Sequence, residues 1–212
     1  SNFFSALFLA GAETGEERQL TDYTNDLDPS WSPDGSRILF TTSRDGFQEL
    51  YTMAPDGSDL QRLTENELIN DLQASYSPDG SQIAYITNYS VGDGTGEIWV
   101  MDADGSNQRR LTENDVDDHR PIWSSDGRSL VFTTTTRPHP DGRVGISLYD
   151  LESDQLKLLT TIDGFAYFPV WSPDGEWIAF LTHEDVSDPR SLAVMRRDGS
   201  DLHVVLSGEE YS

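Results

Sequence analysis

The chain has 212 residues, of which 38 are acidic and 14 are basic, and its formal net charge at pH 7 is −24. A surface with this charge repels phosphate backbones and anionic lipids, so we expect no nucleic-acid partner; the charge is consistent either with a cation-rich milieu or with a basic protein or peptide partner. The absence of cysteine excludes disulfides, thiol catalysis and thiolate metal sites, while an apolar content of 35% is sufficient for a folded domain.

The first predicted element is a pair of strands at the N-terminus. Residues 1–12, SNFFSALFLAGA, lack a basic beginning and contain only a short apolar run, which disfavours a signal peptide. Residues 5–21 instead align with a later segment, ELYTM…QRLT at 49–64, so that Leu20 matches Leu63. Segment 1–22 is therefore predicted to be half of a repeated unit. No run in the chain is long enough to span a bilayer, so no membrane insertion is expected.

A string close to WSPDG marks the beginning of each full unit. It occurs at residues 31–35, 76–80, 123–127 and 171–175, with separations of 45, 47 and 48 residues. Such a period predicts an array of similar supersecondary units. Pro-Asp-Gly is suited to a tight turn between two strands, which we call a and b, so we interpret the string as a structural marker.

Strand b and the hairpin after it complete each unit. In the first unit, Ile38, Leu39 and Phe40 stand seven, eight and nine residues after Trp31, and the other units share this apolar pattern. Because side chains alternate between the faces of a strand, strand b is predicted to be buried on both. Strands c and d follow as a hairpin at 49–64, 97–112, 146–160 and 191–207.

Four short antiparallel strands per unit predict an all-β fold, a β-propeller of four-stranded antiparallel blades. We assign residues 1–22 to a half blade made of strands c and d, and residues 23–66, 67–114, 115–162 and 163–212 to blades 1 to 4. Propellers normally close by pairing their first and last strands. The half blade therefore predicts part of a longer propeller or, alternatively, an oligomer or partner chain that completes it.

Loop lengths distinguish the two faces of the predicted propeller. The a–b and c–d segments align without insertions, whereas the b–c and d–a connections vary in length. Binding residues concentrate on variable loops over a rigid scaffold, so we expect the b–c and d–a face to bind ligands. Its longer loops are at 88–96 and 135–143.

The d–a segments lead into strand a and are predicted to ring the mouth of the central channel. Carboxylates there are expected to pair with basic partner groups, and an aromatic residue is expected to act as an amphipathic anchor. The predicted binding residues are Asp26, Asp28, Asp71, Gln73, Asp118, His119, Arg120 and Tyr167.

No catalytic residue, metal site or cofactor is predicted. Aspartates at the channel mouth are candidate ligands for calcium, but we favour the simpler role of fixing their own loops, and a calcium-dependent structural propeller is the weaker alternative. A calcium-loop pattern at 102–113 has Asn107 where glycine is required. His119, His139 and His183 do not have the spacing of a helical histidine pair, and no G-x-S-x-G, H-E-x-x-H, P-loop or G-x-G-x-x-G string is present.

The repeats resemble those of the TolB-type WD-like propeller family. The resemblance rests on PSWSPDG, ASYSPDG, PIWSSDG and PVWSPDG, on IWVMDADGS at 98–106, and on RLT at 62–64 and 110–112. It departs from the family pattern at Ala74 and Ser125, where prolines are expected. The resemblance implies a bacterial protein of the periplasm or another extracytoplasmic compartment.

These observations together predict a non-enzymatic, TolB-like scaffold that binds a protein or peptide through its variable face. Similar repeats also occur in sensor domains of bacterial membrane proteins and in gating propellers beside serine-peptidase domains. A sensor domain, or the regulatory propeller of an enzyme of the prolyl-oligopeptidase class, is therefore the alternative. An α/β-hydrolase domain with G-x-S-x-G in the full-length gene would favour the enzyme.

Overall fold

The structure, a computed structural model, describes residues 5–22, 24–89, 95–135, 144–160, 164–184 and 188–207. These residues form β-strands joined by turns, and none of them belongs to a helix that could cross a membrane. The chain divides into two compact units, residues 1–94 with 99–109 and residues 95–98 with 110–212. The all-β prediction is confirmed.

The strands follow one another as antiparallel hairpins. β1 (Phe8–Ala10) pairs with β2 (Glu17–Gln19) as the predicted half blade. Blade 1 contains β3 (Asp26–Trp31), β4 (Ile38–Thr42), β5 (Glu49–Met53) and β6 (Gln61–Arg62); blade 2 contains β7 (Ile69–Tyr76), β8 (Gln82–Tyr89), β9 (Glu97–Asp102) and β10 (Arg109–Arg110). In both blades the strands are hydrogen-bonded in chain order, as predicted for strands a to d.

The second half of the chain repeats this arrangement. Blade 3 contains β11 (Asp117–Trp123), β12 (Ser129–Thr135), β13 (Val144–Asp150) and β14 (Gln155–Leu158); blade 4 contains β15 (Phe165–Trp171), β16 (Trp177–His183), β17 (Ser191–Arg196) and β18 (His203–Leu206). One parallel bridge, Val144 to Phe165, connects the two blades. Each set of four strands lies within the range predicted for its blade.

Apolar residues of strand b form the core between successive blades. All five residues of β4 are buried, as the sequence predicted. Leu39 of blade 1 belongs to one apolar cluster with Tyr85 of blade 2, and Val131 of blade 3 belongs to another with Phe180 of blade 4. Because the burial is between blades, each blade depends on its neighbour for stability.

The WSPDG strings form the turns between strands a and b. In the first, the Asp34 carboxylate accepts hydrogen bonds from Ser32 Oγ at 2.6 Å and from the Ser36 N–H at 3.0 Å. Ser32 Oγ in turn accepts the Arg37 N–H at 2.9 Å, and Gly35 has a left-handed φ of 70°. The Ser32 hydroxyl, followed by the Ser36 donors, lowers the pKa of Asp34 to about 2. The string is thus a self-contained turn, which confirms its interpretation as a structural marker.

Glycines of the c–d turns pack closely against the preceding blade. A Cβ on Gly105 would lie 2.8 Å from the carbonyl oxygen of Leu63, and one on Gly57 would lie 3.1 Å from that of Leu20. Both glycines also have positive φ, so the turn and the close contact each require a residue without a Cβ. Leu20 and Leu63 therefore occupy equivalent places, which supports the half-blade alignment.

Candidate functional site

Strand a of every blade contains a β-bulge three residues before the aromatic residue that begins the WSPDG-like string. At this point two residues of strand a lie opposite one residue of strand b in all four blades. The bulge residues are Asp28, Gln73, Arg120 and Phe168, with φ values of 49°, 55°, 54° and 54°. A left-handed conformation costs a non-glycine residue about 1–2 kcal/mol. The repeat therefore maintains a left-handed backbone at this position of each blade, as it also does in the c–d turns at Asp59, Asn107, Asp154 and Asp201.

The side chains at this position differ in charge, size and polarity. Asp28, Arg120 and Phe168 are exposed, and Gln73 is half-buried. Glycine would relieve the strain, yet it occurs at none of the four positions. Bulges commonly redirect a side chain, and four different side chains occupy this position, so the backbone shape is common to the blades while the side chain is not.

In blade 4 the bulge residue belongs to a group of stacked rings. The His183 ring centroid lies 4.8 Å from that of Phe165 and 5.5 Å from that of Tyr167. Phe168 lies 6.1 Å from Tyr167, and the Arg120 guanidinium lies 5.2 Å from the centre of the Phe168 ring. Burial raises the pKa of the Tyr167 hydroxyl. We call Phe165, Tyr167, Phe168 and His183 the aromatic cluster; it presents the exposed Phe168 beside a cation.

Three predicted binding residues, Asp26, Asp71 and Asp118, are buried rather than exposed, with 2%, 1% and 0% of their surface accessible. The N–H of each aspartate donates to a carbonyl in front of strand c of the preceding blade. These carbonyls belong to Ser5, Gln48 and Gly96, at 3.2, 2.8 and 2.8 Å. The aspartates therefore connect successive blades.

Side-chain hydrogen bonds surround the buried aspartates of blades 2 and 3. Asp71 accepts from Thr87 Oγ1 at 2.8 Å and from Asn66 Nδ2 at 2.6 Å. The Asn66 N–H donates to Glu49 at 2.6 Å, and Glu49 also accepts from Thr64 Oγ1. The equivalent residues around Asp118 make the same contacts: Thr134, Asn114, Glu97 and Thr112. We call these two sets the buried acid networks.

The buried acid networks change the acidity of their aspartates. Burial raises the pKa of Asp71 to about 6, and the neighbouring Glu49 carboxylate acts in the same direction. Burial raises the pKa of Asp118 to about 6 as well, with Glu97 contributing in the same way. In blade 1, Asp26 instead pairs with the Arg44 guanidinium at 3.2 Å. These carboxylates are thus committed to internal contacts.

The remaining predicted site residue, His119, is half-buried beside Asp118. A Cβ on Gly96 would lie 2.9 Å from the Asp118 carbonyl and 3.7 Å from the His119 ring, so glycine permits this approach. In the predicted loops, residues 90–94 and 136–143, which include His139, lie outside the described residues. Within the described part of the chain, no group of three or more His, Asp or Glu side chains is arranged to hold a metal ion.

A family model described as the TolB beta propeller domain matches residues 4–92 and 89–211. The chain belongs to this family. The match confirms the resemblance seen in the repeats, and it agrees with the order of strands in each blade. A comparison with curated proteins gave no match.

Solved structures share the fold with the chain at low sequence identity. TolB from Acinetobacter baumannii is 21% identical with a TM-score of 0.71, and the match covers 95% of this chain and 49% of that one. An oligogalacturonate lyase in complex with manganese is 19% identical, with a TM-score of 0.74 and coverages of 96% and 60%. A puromycin-hydrolyzing peptidase from Mycobacterium tuberculosis is 15% identical, with a TM-score of 0.70 and coverages of 93% and 32%. The chain thus spans about half the length of the Acinetobacter TolB chain.

Sequence reasoning identified three of the four bulge residues but not Phe168, nor the ring stack of Phe165 and His183. The signal for Phe168 was present, since it stands in the same column as Asp28, Gln73 and Arg120. No sequence pattern indicated the stacking of His183 on Phe165, because His183 lies in strand b and the two rings meet only through strand pairing.

Proposed function

We propose that the chain is a non-enzymatic propeller scaffold that binds a protein or peptide through its bulge residues and the neighbouring aromatic cluster. The negative charge of the chain favours a basic partner, and its family membership favours an extracytoplasmic compartment. Asp28 would pair with a basic group, Gln73 would supply hydrogen bonds, and Phe168 with Tyr167 would supply apolar area.

The observation that carries the proposal is the strained bulge with a non-glycine residue in all four blades. A fold that needed only the turn would be more stable with glycine, so the side chains are retained at a cost in stability. Strain of this kind concentrates at binding and catalytic sites. Aromatic and arginine side chains, here Phe168 and Arg120, are also the most frequent hot spots of protein interfaces.

A selection from a random peptide library displayed on phage tests the proposal. We expect selected peptides to be enriched in lysine and arginine, and their affinity to fall as ionic strength rises. Phe168→Ala should weaken binding by about tenfold or more, as loss of a hot-spot anchor does. Val170→Ala removes an exposed apolar side chain from the same strand outside the bulge and serves as the matched control. Equal binding by wild type and Phe168→Ala would reject the proposal.

A second candidate function, the propeller part of a larger enzyme, is favoured by one observation. The peptidase and lyase structures that share the fold are longer than this chain, which covers 32% and 60% of them. Sequencing the full-length gene decides between the two: a hydrolase domain with G-x-S-x-G beyond the propeller would assign this chain to an enzyme. A gene that ends with the propeller would remove this candidate.

A further inference from the structure

We propose that blade 4 contains a docking cleft for a guanidinium or ammonium side chain of a partner peptide. The inference rests on the proposed peptide-binding function and names one chemical group that the partner supplies. It comes from a comparison of blade 4 with blade 1, in which strand pairing shows the residues that correspond.

In blade 1, the chain supplies its own guanidinium at this place. Arg44 lies over the Phe40 ring at 5.4 Å and over the Tyr51 ring at 5.1 Å, and it pairs with Asp26 at 3.2 Å. A second arginine, Arg62 of strand d, pairs with Glu49 at 3.2 Å. In blade 1 this place therefore contains two internal cation–carboxylate pairs.

Register shows which residues of blade 4 replace these groups. Phe40 pairs with Tyr51 and Phe180 pairs with Ala193, so alanine replaces the tyrosine ring. Tyr51 pairs with Arg62 and Ala193 pairs with Val204, so valine replaces the second arginine. In the gapless alignment of strand b and its following loop, Glu184 replaces Arg44 and reverses the charge.

The replacements leave a cleft of about 630 Å³ in blade 4. Its walls include the carboxylates of Glu184 and Asp188, the hydroxyl of Ser191 and the apolar side chains of Leu202 and Val204. Glu184 is exposed, as are 37% of Leu202 and 53% of Val204. No lysine or arginine is among the described residues that line this cleft.

This combination of groups suits a lysine or arginine side chain. The aliphatic stem of such a side chain packs on apolar surface while its charged head remains near carboxylates and water. Arginine is the better fit, because its planar guanidinium forms paired hydrogen bonds with carboxylates and is weakly hydrated. The net charge of −24 also attracts cations toward the protein.

The aromatic cluster lies at one wall of the cleft. His183 lines the cleft and stacks on Phe165 and Tyr167, which connects the cleft to the bulge residue Phe168. A peptide bound at Phe168 therefore has a cation-binding cleft within the same blade. This continuity is the reason for assigning both features to one partner.

An NMR titration of the protein with the tripeptide acetyl-Gly-Arg-Gly-amide tests the cleft directly. We expect the methyl signals of Leu202 and Val204 and the ring signals of His183 to shift on binding. The same peptide with citrulline has nearly the same shape without charge and should cause no comparable shift. Equal shifts with both peptides would overturn the inference.

Two variants locate the binding. Glu184→Gln should weaken the arginine peptide by about threefold, as expected for an exposed charge pair. Val204→Arg supplies internally the guanidinium that Arg62 supplies in blade 1 and should abolish binding. Glu16→Gln removes one exposed charge from the half blade and should leave the affinity unchanged. If Val204→Arg does not fold, the test is the affinity of Glu184→Gln for the arginine peptide compared with that of Glu16→Gln. Equal affinities of these two variants would reject the cleft.

Failure of this inference is distinguishable from failure of the proposed function. Phage-selected peptides that lose affinity with Phe168→Ala but not with Glu184→Gln would leave the peptide-binding function intact and reject the cleft. Peptides that are unaffected by Phe168→Ala would reject the function itself.

Discussion

At the bulge position the backbone conformation is the same in every blade, while the side chain changes. The φ values of Asp28, Gln73, Arg120 and Phe168 differ by only a few degrees. The conformation is therefore set by strand pairing on both sides of the bulge and not by the residue that adopts it. The backbone shape at this position is thus common to all four blades, while the side chain is particular to each.

Glycine and alanine at position 120 provide a test of the strain. Both variants remove the arginine side chain, but only Arg120→Ala keeps a Cβ in the left-handed region. We expect Arg120→Gly to be more stable than Arg120→Ala by about 1 kcal/mol in urea denaturation. At ordinary strand positions a glycine variant is less stable than an alanine variant. If Arg120→Gly proved less stable than Arg120→Ala, the backbone at position 120 would not be strained.

Stability should depend on pH through the buried aspartates. The pKa of Asp71 is raised from 3.8 to about 6, so the folded state binds a proton more tightly than the unfolded state. The resulting stabilisation is present below about pH 4 and is lost as pH rises through about 6. Asp118 behaves in the same way, and each contributes about 3 kcal/mol.

Asp71→Asn removes one of these titrating groups. Denaturation at pH 4.5 and at pH 7.5 should show a smaller pH difference for this variant than for wild type. The exposed Asp22→Asn variant has the same change in charge and should keep the wild-type difference. A pH dependence that is equal in all three proteins would contradict the raised pKa.

At the scale of elements, turns and close contacts hold the blades in order. The Asp-Gly turns close each hairpin locally, whereas Gly105 also meets the end of the preceding blade at Leu63. A turn of this kind is both a hairpin connection and an interblade contact. Substitution of this glycine should therefore destabilise the protein more than substitution of a turn glycine that makes no contact with another blade.

Gly105→Ala and Gly35→Ala compare the two kinds of turn. Both glycines follow an aspartate and have a left-handed φ, 87° and 70°, but no atom lies within 4 Å of a Cβ built on Gly35, whereas one on Gly105 would lie 2.8 Å from a backbone oxygen. We expect Gly105→Ala to be less stable than Gly35→Ala by about 1–2 kcal/mol in thermal or urea unfolding. Equal losses would show that the contact with Leu63 relaxes without cost.

At the scale of the whole molecule, the dominant property is charge. The 38 acidic residues outnumber the 14 basic residues, which leaves a net charge of −24. Self-repulsion of this size destabilises the compact state, and salt screens it over a distance of about 10 Å at 0.1 M. The same charge that favours a basic partner therefore reduces stability at low ionic strength.

Thermal unfolding should reveal this repulsion. Raising NaCl from about 0.02 M to about 0.5 M should increase Tm by a few degrees, since the screening length becomes shorter than the distance between most surface charges. CaCl₂ at equal ionic strength is the control for specific cation binding. A Tm that stays constant or falls with NaCl would contradict the prediction, and a larger rise with CaCl₂ would favour the calcium-dependent alternative.

Most of the fold could be predicted because its signals are local. The run of apolar residues Ile38, Leu39 and Phe40 predicts strand b, and the Asp-Gly pairs predict turns. Both signals lie within short segments, and both agree with the structure. The candidate site could be predicted only in part. Arg120 and Tyr167 were predicted from loop variation, but the stacking of Tyr167 on His183 depends on pairing between β15 and β16.

The sequence by itself determined the strand order, the turns and the family, because a repeated pattern of period two with Asp-Gly turns specifies these without long-range information. Only the tertiary structure decided that Asp26, Asp71 and Asp118 are buried between blades while Asp28 is exposed. The physical reason is that burial of a polar side chain at a strand end depends on donors brought to it by tertiary structure. For Asp71 these are Thr87, from the paired strand of the same blade, and Asn66, from the end of the preceding blade, and neither is encoded in the local pattern.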